Sequence, residues 1–383
     1  MERKILVLAV AAMVVVASVA AVLILKDDGP GENPTIVLGI ADKNGYEPMI
    51  YAHAAGFFED EKVNVDVKWE NTGGTATTSL LAGQIDMTNA GNTPVFQALQ
   101  SSTGVRIVAS NCGQIIGEST TVFIVQNSST ADLSNLKGTF FDRDGNYNGT
   151  TKIAMDATSG YYNSWTSYVD WAATEEGLTT QQVEILKLKA GGAIFNSQDM
   201  HNVAISMLTQ NPAAEIIMGG SDVDVLPQAP TLLKYLHYPT EFLTSTVDSS
   251  GCGVYIVSEK AYETNKEGIL RALKAIKRAA DILNNPQDPQ FNDAITAVSK
   301  VVRGGTSDEQ KAKEISDLAT RYWGVFLIDD VLDNFNKEEV KSPGHKDGFD
   351  AWASFAPEFL KEIYGDKPYT FDRFTGEYVA NRI

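Results

Sequence analysis

The sequence predicts an α/β protein of two lobes, each built on a mostly parallel sheet wound with helices, with a two-strand hinge between them. Short apolar segments alternate with helical ones through short loops, which is the pattern of a wound sheet. The alternation resumes after the turn LSNLKG at Leu133–Gly138. A strand-like segment late in the chain then returns to the first lobe. The 383 residues suffice for two domains of ordinary size.

The N-terminal segment is predicted to be a membrane element. Residues Ile5–Leu25 contain no charge, and at about 1.5 Å per residue they span roughly 30 Å, the thickness of a bilayer core. Arg3 and Lys4 precede this run, which places the N-terminus in the cytoplasm and the rest of the chain on the extracellular face. The prediction is therefore an exported protein.

Two fates of this segment are open. Ser18–Ala20 form a passable cleavage site, but the apolar run continues beyond it and is longer than a usual signal sequence. No cysteine lies near the end of the run to accept a lipid. We expect a retained anchor at residues 1–25 and a flexible stalk at residues 26–34, with cleavage as the alternative.

Composition excludes some classes of function. The chain is 43% hydrophobic and 21% charged, as in a packed globular protein. Its net charge of −18 and the lack of a Lys/Arg-rich run argue against nucleic-acid binding. Two cysteines, Cys112 and Cys252, are too few for a disulfide scaffold, but one bridge is permitted outside the cell, and we treat it as a candidate disulfide.

The elements of the first lobe follow in order. Thr35–Ile40 reads as a buried strand, and a helix is expected from about Met49 to Phe57. An alternating strand begins at Val63, the segment NTGGTA opens a helix that ends at Leu81, and IDM and VRIVAS are strands.

The second lobe is expected to repeat this order. TFFD and VEILKLKAGG take strand positions, and a helix begins at about Thr151. The stretch GSDVDVLPQAP at Gly220–Pro230 resembles GQIDMTNAGNTP at Gly83–Pro94. Each is predicted to be a strand that turns at small residues. Because ligands bind outside the carboxyl ends of parallel strands, the two stretches are expected to face one cleft.

The segment from Cys252 closes the first lobe. CGVYIVSEKAY is a strand that enters a helix, and the following helix has one apolar face: Ile269, Leu270, Leu273, Ile276, Ala280 and Leu283. This segment and TTVFIVQ at Thr120–Gln126 are expected to cross between the lobes. The predicted boundaries are 35–126 plus 252–383 for lobe 1 and 127–251 for lobe 2.

Several phrases resemble one family in order and spacing. GYEPMIYAHAAGFFEDEKVNVDV, GGTATTSLLAGQIDMTNAGNTP, GVRIVAS, LSNLKG and CGVYIVSEKAYETNKEGILRALKAIKRA are similar to segments of extracytoplasmic solute-binding proteins of ABC importers. The branch is that of nitrate, sulfonate and taurine uptake, with related thiamine-precursor binders. The resemblance covers about Thr35–Pro286. It implies a periplasmic-binding-protein fold that closes on a small solute and delivers it to a permease with an ATPase subunit.

The resemblance also implies which loops bind the solute. The expected ligand-binding residues are Asn44, Tyr46, Gly74, Thr75, Asn89, Asn92, Thr93 and Asn111 in lobe 1, and Thr150, Thr151, Gly192 and Gln228 in lobe 2. Helix N-termini at NTGGTA and at the GTT of Gly149–Thr151 would favour an anion. The alternative for these threonines is ordinary helix capping. Acidic neighbours of Arg143 weaken the case for an anion and leave the solute class open.

An enzyme is the competing class. The four histidines have no metal-ligand spacing, and neither GxSxG nor HExxH occurs. The pyrimidine synthase of the same fold has a cysteine cluster that this chain lacks. We therefore expect a binding protein with no catalytic residue, metal or cofactor, and a pyrimidine or thiamine-precursor binding protein or enzyme remains the alternative.

Overall fold

The structure is a computed structural model that describes residues 33–41, 45–91, 94–95, 98–99, 104–114, 121–157, 160–189, 191–196, 204, 214–219, 231–245, 253–327, 355–372 and 377–379. These residues form two mixed sheets, each with its own hydrophobic core, and a short ribbon. The predicted anchor at residues 1–25 lies outside them. Within the described ranges, no helix is both long and apolar enough to span a bilayer.

The elements are as follows. The strands are β1 (Thr35–Ala41), β2 (Asn64–Glu70), β3 (Met87–Gly91), β4 (Val105–Gln114), β5 (Val122–Gln126), β6 (Ile153–Met155), β7 (Ile194–Asn196), β8 (Ile216–Gly219), β9 (Leu233–Leu236), β10 (Gly253–Ser258), β11 (Arg321–Phe326), β12 (Thr370–Asp372) and β13 (Glu377–Val379). The helices are α1 (Glu47–Ala54), α2 (Phe57–Asp60), α3 (Gly73–Leu81), α4 (Leu136–Phe140), α5 (Gly160–Glu176), α6 (Thr180–Lys187), α7 (Thr240–Ser245), α8 (Glu259–Thr264), α9 (Lys266–Leu283), α10 (Phe291–Val302), α11 (Asp308–Leu318) and α12 (Glu358–Tyr364).

The two sheets share one topology. The first has the order β11-β4-β10-β3-β1-β2 and the second β7-β6-β8-β5-β9. In each sheet three parallel strands lie side by side, and the earliest of the three in the chain, β1 or β6, lies between the other two. An antiparallel strand follows, β10 in the first sheet and β5 in the second. Next to it lies β4 or β9, which is antiparallel to it in turn.

This topology corrects one predicted boundary. β5, Val122–Gln126, pairs with β8 and β9 and is a strand of the second sheet. The chain therefore leaves the first sheet before Val122 and not after Gln126. β10, from Gly253, lies in the first sheet, in agreement with the predicted return. The two-strand hinge stays a prediction, because residues 115–120 and 246–252 lie outside the described ranges.

The long helix α9 packs as its sequence predicts. Asn265 precedes it and accepts a hydrogen bond from the Gly268 amide, which satisfies one free donor at the helix start. Five of the six predicted face residues are buried in the first core, and Leu270 packs against its edge. The helix lies against α1 and β11 and so joins early and late parts of the chain.

Three predicted elements of the second lobe are wrong. Thr151 precedes the strand β6, and the next helix, α5, begins only at Gly160. TFFD overlaps the end of α4, which Asn135 caps. VEILKL is mostly in α6, where Thr179 and Gln182 form a capping box. The capping box outweighs the strand-like alternation here, because it satisfies free amides at the helix start.

The first of the two similar stretches, Gly83–Pro94, contains β3. The second, residues 220–230, follows β8 and lies outside the described ranges. That the two stretches are equivalent strand ends stays a prediction.

The pairing of β10 with β3 supplies a test of the fold. A Cβ added to Gly253 would lie 2.3 Å from the carbonyl oxygen of Ala90, whereas Gly91, the cross-strand partner of Gly253, has no atom within 4 Å of such a position. We expect Gly253→Ala to lower the free energy of unfolding by about 1–3 kcal/mol, because strand backbone must move. Gly91→Ala should change it by less than about 0.5 kcal/mol. Urea unfolding of both variants measures the difference, and equal stabilities would contradict this register.

The cysteines supply a second test. Cys112 is buried and disulfide-bonded, and the only other cysteine of the chain, Cys252, lies outside the described residues. Val254 pairs with Ser110 across β10 and β4, and the same register continued by two residues would bring position 252 opposite Cys112. We expect no reactive thiol in the unfolded chain before reduction and two after it, with one peptide pair linked in a non-reducing digest. Two thiols without reduction would refute the pairing.

Candidate functional site

The described lobe-1 candidates lie at one edge of the first sheet. β1, β2, β3 and β4 run in the same direction and end at this edge, where β10 and β11 begin. We call it the carboxyl edge of lobe 1. The described candidates at or near it are Tyr46, Gly74, Thr75, Asn89 and Asn111. Asn44, Asn92, Thr93 and the lobe-2 residue Gln228 lie outside the described residues.

Two of these candidates hold the backbone of a loop. The side-chain amides of Asn89 and Asn111 both donate to the carbonyl oxygen of Gly45, at 2.7 and 3.1 Å. The side-chain oxygen of Asn111, Oδ1, accepts a hydrogen bond from the Gly253 amide at 2.7 Å. Both asparagines are buried. In this structure their amide groups therefore bind the loop after β1, and contact with a solute stays a prediction.

Tyr46 is a packed residue of the same loop. Its ring is buried and its hydroxyl donates to the carbonyl oxygen of Asn89. Burial raises the pKa of this phenol far above its usual value, because the charged form would lose its hydration. Tyr46 thus has no exposed face for stacking in this structure.

The start of α3 is capped by a residue that the sequence analysis did not single out. Thr72 is the N-cap, and its hydroxyl accepts from the Thr75 amide at 3.1 Å. The Thr75 hydroxyl accepts in return from the Thr72 amide at 3.0 Å. Thr75 therefore serves helix capping. Gly74 is exposed beside it, and a Cβ there would meet only the Thr72 hydroxyl, at 3.6 Å.

The described lobe-2 candidates lie at the amino edge of their sheet, opposite to the edge at which ligands of such sheets bind. Thr150 and Thr151 directly precede β6, and Gly192 precedes β7, so all three are at the amino ends of parallel strands. Thr151 donates through its hydroxyl to Glu215 at 3.2 Å. The side chain of Asn148 accepts from both threonine amides. Their part is to build this turn, and the GTT segment opens no helix.

The carboxyl edge of lobe 2 contains residues that the sequence analysis missed. β6 ends at Met155 and β7 at Asn196. The side chain of Asn196 accepts from the Ala157 amide at 2.9 Å and so connects the two strand ends. In the sequence, the short apolar segment IAM, followed by Asp156 and small residues, could have indicated a strand that ends at this edge. The same pattern is equally typical of a helix start.

A buried glutamate and a buried arginine lie close to each other beside Gly45. Glu47 at the start of α1 accepts from the Gly45 amide at 2.6 Å, and Arg321 of β11 lies 4.0 Å from it. Both side chains are nearly inaccessible to solvent. Burial raises the pKa of Glu47 to about 8; Arg321 opposes this rise, and Glu314 of α11 adds to it. Burial raises the pKa of the Tyr255 phenol on β10, and the charge of the Glu47 carboxylate adds to this rise.

Glu47 makes stability depend on pH. Its pKa rises from 4.5 to about 8 on folding, so between these values the folded chain holds a proton that the unfolded chain has released. Raising the pH through this window therefore favours unfolding. The unchanged protein should lose stability over this range, whereas Glu47→Gln has no such titration. We therefore expect the free energy of unfolding of Glu47→Gln minus that of the unchanged protein to increase between about pH 5 and pH 8 and then to level off. Urea titrations across this range test it, and a difference independent of pH would show that Glu47 does not titrate there.

The comparisons with known proteins agree with this fold. Residues 44–160 match the family model described as NMT1/THI5 like. No curated protein matches the sequence significantly.

Among the described residues, no group of three or more His, Cys, Asp or Glu side chains could hold a metal ion.

Several solved structures are similar. The periplasmic sulfonate-binding protein SsuA of Methylobacillus flagellatus KT matches with a TM-score of 0.60 at 14% identity, covering 92% of this chain and 99% of that one. The alkanesulfonate-binding protein SsuA of Xanthomonas axonopodis pv. citri, bound to MOPS, matches with 0.56 at 12%, covering 79% and 90%. The ligand-binding component of an ABC-type import system from Staphylococcus aureus, with zinc bound, matches with 0.58 at 12%, covering 86% and 99%. The chain therefore has the α/β fold of periplasmic binding proteins, with an NMT1/THI5-like region at residues 44–160, as the resemblance of its sequence suggested.

Proposed function

We propose that this protein is the extracellular substrate-binding component of an ABC importer. It captures a small solute between its lobes and delivers it to a permease that works with an ATPase subunit. The observation that supports this most is the shared topology of the two sheets, in which the strand that enters each lobe from the other lies antiparallel beside the three parallel strands. The similar structures described as sulfonate-binding favour a sulfonate or a related anion as the solute.

The proposed solute site lies at the carboxyl edge of lobe 1. The amides of Gly73 and the exposed Gly74 offer donors there, since the first amides of a helix have no acceptor within it, whereas the Thr75 amide already donates to Thr72. The helix dipole adds to the attraction for an anion. Lobe 2 contributes through its own carboxyl edge and not through Thr150, Thr151 or Gly192.

The proposal includes a tether to the membrane. The uncharged run Ile5–Leu25 is long enough to span a bilayer. A retained N-terminal helix would hold the binding lobes near the permease on the extracellular face, with residues 26–34 as a spacer. Intact mass of protein extracted from membranes distinguishes this anchor from a cleaved signal sequence.

A ligand panel tests the function. The full chain in mild detergent is heated with nitrate, taurine, ethanesulfonate, bicarbonate, pyrimidines or amino acids, one at a time. A solute at a hundred times its Kd adds about 2.7 kcal/mol to stability, which raises the melting temperature by several degrees. We expect a shift with a sulfonate or nitrate. A shift only with pyrimidines would favour the thiamine-precursor alternative, and turnover of the bound compound would indicate an enzyme.

A pair of variants tests the location of the site. Gly74→Phe places a ring at the carboxyl edge of lobe 1, where the added Cβ meets no clash. Thr150→Phe places the same ring at an exposed position of the opposite, amino edge in lobe 2. We expect the first variant to abolish the thermal shift and the second to retain it. The reverse result would indicate that the solute binds at the GTT segment, Gly149–Thr151.

A further inference from the structure

Three buried side chains hydrogen-bond to the backbone of Gly45, one at its amide and two at its carbonyl oxygen. Its amide donates to Glu47 at 2.6 Å. Its carbonyl oxygen accepts from Asn89 at 2.7 Å and from Asn111 at 3.1 Å. The three side chains come from α1, β3 and β4. Three polar side chains from three separate elements thus meet at one loop residue at the carboxyl edge of lobe 1.

The backbone of Gly45 itself is constrained. Its φ angle is +104°, a conformation that L side chains rarely adopt. Without the surrounding hydrogen bonds a glycine populates many conformations, and fixing one costs about 1–2 kcal/mol of backbone entropy. The three side chains select a single conformation of this residue.

Asn89 is retained at a cost to stability. Its Oδ1 atom is buried and has no hydrogen-bond partner within the described part of the structure. An unsatisfied buried acceptor costs about 1–3 kcal/mol, and buried polar atoms are usually paired. An apolar side chain of similar size would avoid this cost. The feature that an apolar side chain could not replace is the donation from the Asn89 amide to Gly45.

We infer that Glu47, Asn89 and Asn111 are positioning residues of the solute site, which fix the backbone of Gly45 before a solute binds. This inference rests on the proposed function, and it assigns these residues a role through Gly45 in place of direct contact. Fixing a binding loop in advance removes the entropy cost of ordering it during binding. The three residues thereby increase affinity without touching the solute.

The test separates the position of the loop from the stability of the lobe. Asn89→Leu removes the donor to Gly45 and also the unsatisfied acceptor. We expect hydrogen exchange of the Gly45 amide, measured by mass spectrometry on the solute-free full chain, to become at least tenfold faster. The melting temperature should stay within a few degrees. Asn89→Ala repeats the measurement without introducing new methyl groups.

Ser299→Ala is the matched control. Ser299 is buried in α10, in the same core, and its hydroxyl donates to the carbonyl oxygen of Gly305 at 2.8 Å. This variant also loses a partly buried hydrogen bond, but one that lies in another helix and does not involve Gly45 or its three partners. We expect a lower melting temperature and unchanged exchange at Gly45. Unchanged Gly45 exchange in both Asn89 variants would overturn the inference, as would equally fast exchange in the control.

A second measurement connects the loop to binding. With ethanesulfonate as the probe, we expect Asn89→Leu to weaken the affinity at least tenfold and Ser299→Ala to leave it unchanged. Unchanged affinity together with faster exchange would overturn the role in binding. If the unchanged protein binds no member of the ligand panel, the proposed function fails, while the exchange measurement still decides whether the three residues fix the loop.

Discussion

The antiparallel strand β10 is the element on which the first lobe depends. It lies between β3 and β4 and hydrogen-bonds to both, although it follows them by well over a hundred residues. The approach is close enough that Gly253 has no room for a Cβ against Ala90. Because β10 also supplies the Gly253 amide to Asn111, it sets the position of the side chain that reaches Gly45. The fold of the lobe and the geometry of its loop thus have a common origin.

Polar burial at the carboxyl edge opposes stability. Glu47 and Arg321 are both removed from water. The cost of burying a carboxylate raises the pKa of Glu47 and favours its neutral form. The Oδ1 of Asn89 and the Nε of Arg321 have no hydrogen-bond partner among the described residues. A lobe selected only for stability would replace such groups with apolar ones. Glu47 and Asn89 both hydrogen-bond to Gly45, which favours a functional reason for their polar side chains.

The two lobes show the limits of analogy between repeated sequence patterns. Five strands of the first sheet have the same arrangement as the five strands of the second, and β11 is added at the edge of the first sheet. The Thr-rich turn at Thr150 and Thr151 resembles the start of α3 in composition but precedes a strand. Small polar residues cap helices and build strand-entry turns alike, since both need side-chain acceptors for free backbone amides.

The sequence by itself determined the α/β class, the two-lobed order of elements, the buried face of α9 and the lobe-1 loops at the strand ends. These follow from the periodicity of apolar residues, which is local and repeats over many positions. Only the tertiary structure decided that β5 belongs to the second sheet, that Asn89 and Asn111 point at Gly45, and that Glu47 faces Arg321. Glu47 and Arg321 are far apart in sequence, and no local pattern encodes a contact that forms only when β11 packs beside β4 at the edge of the finished sheet.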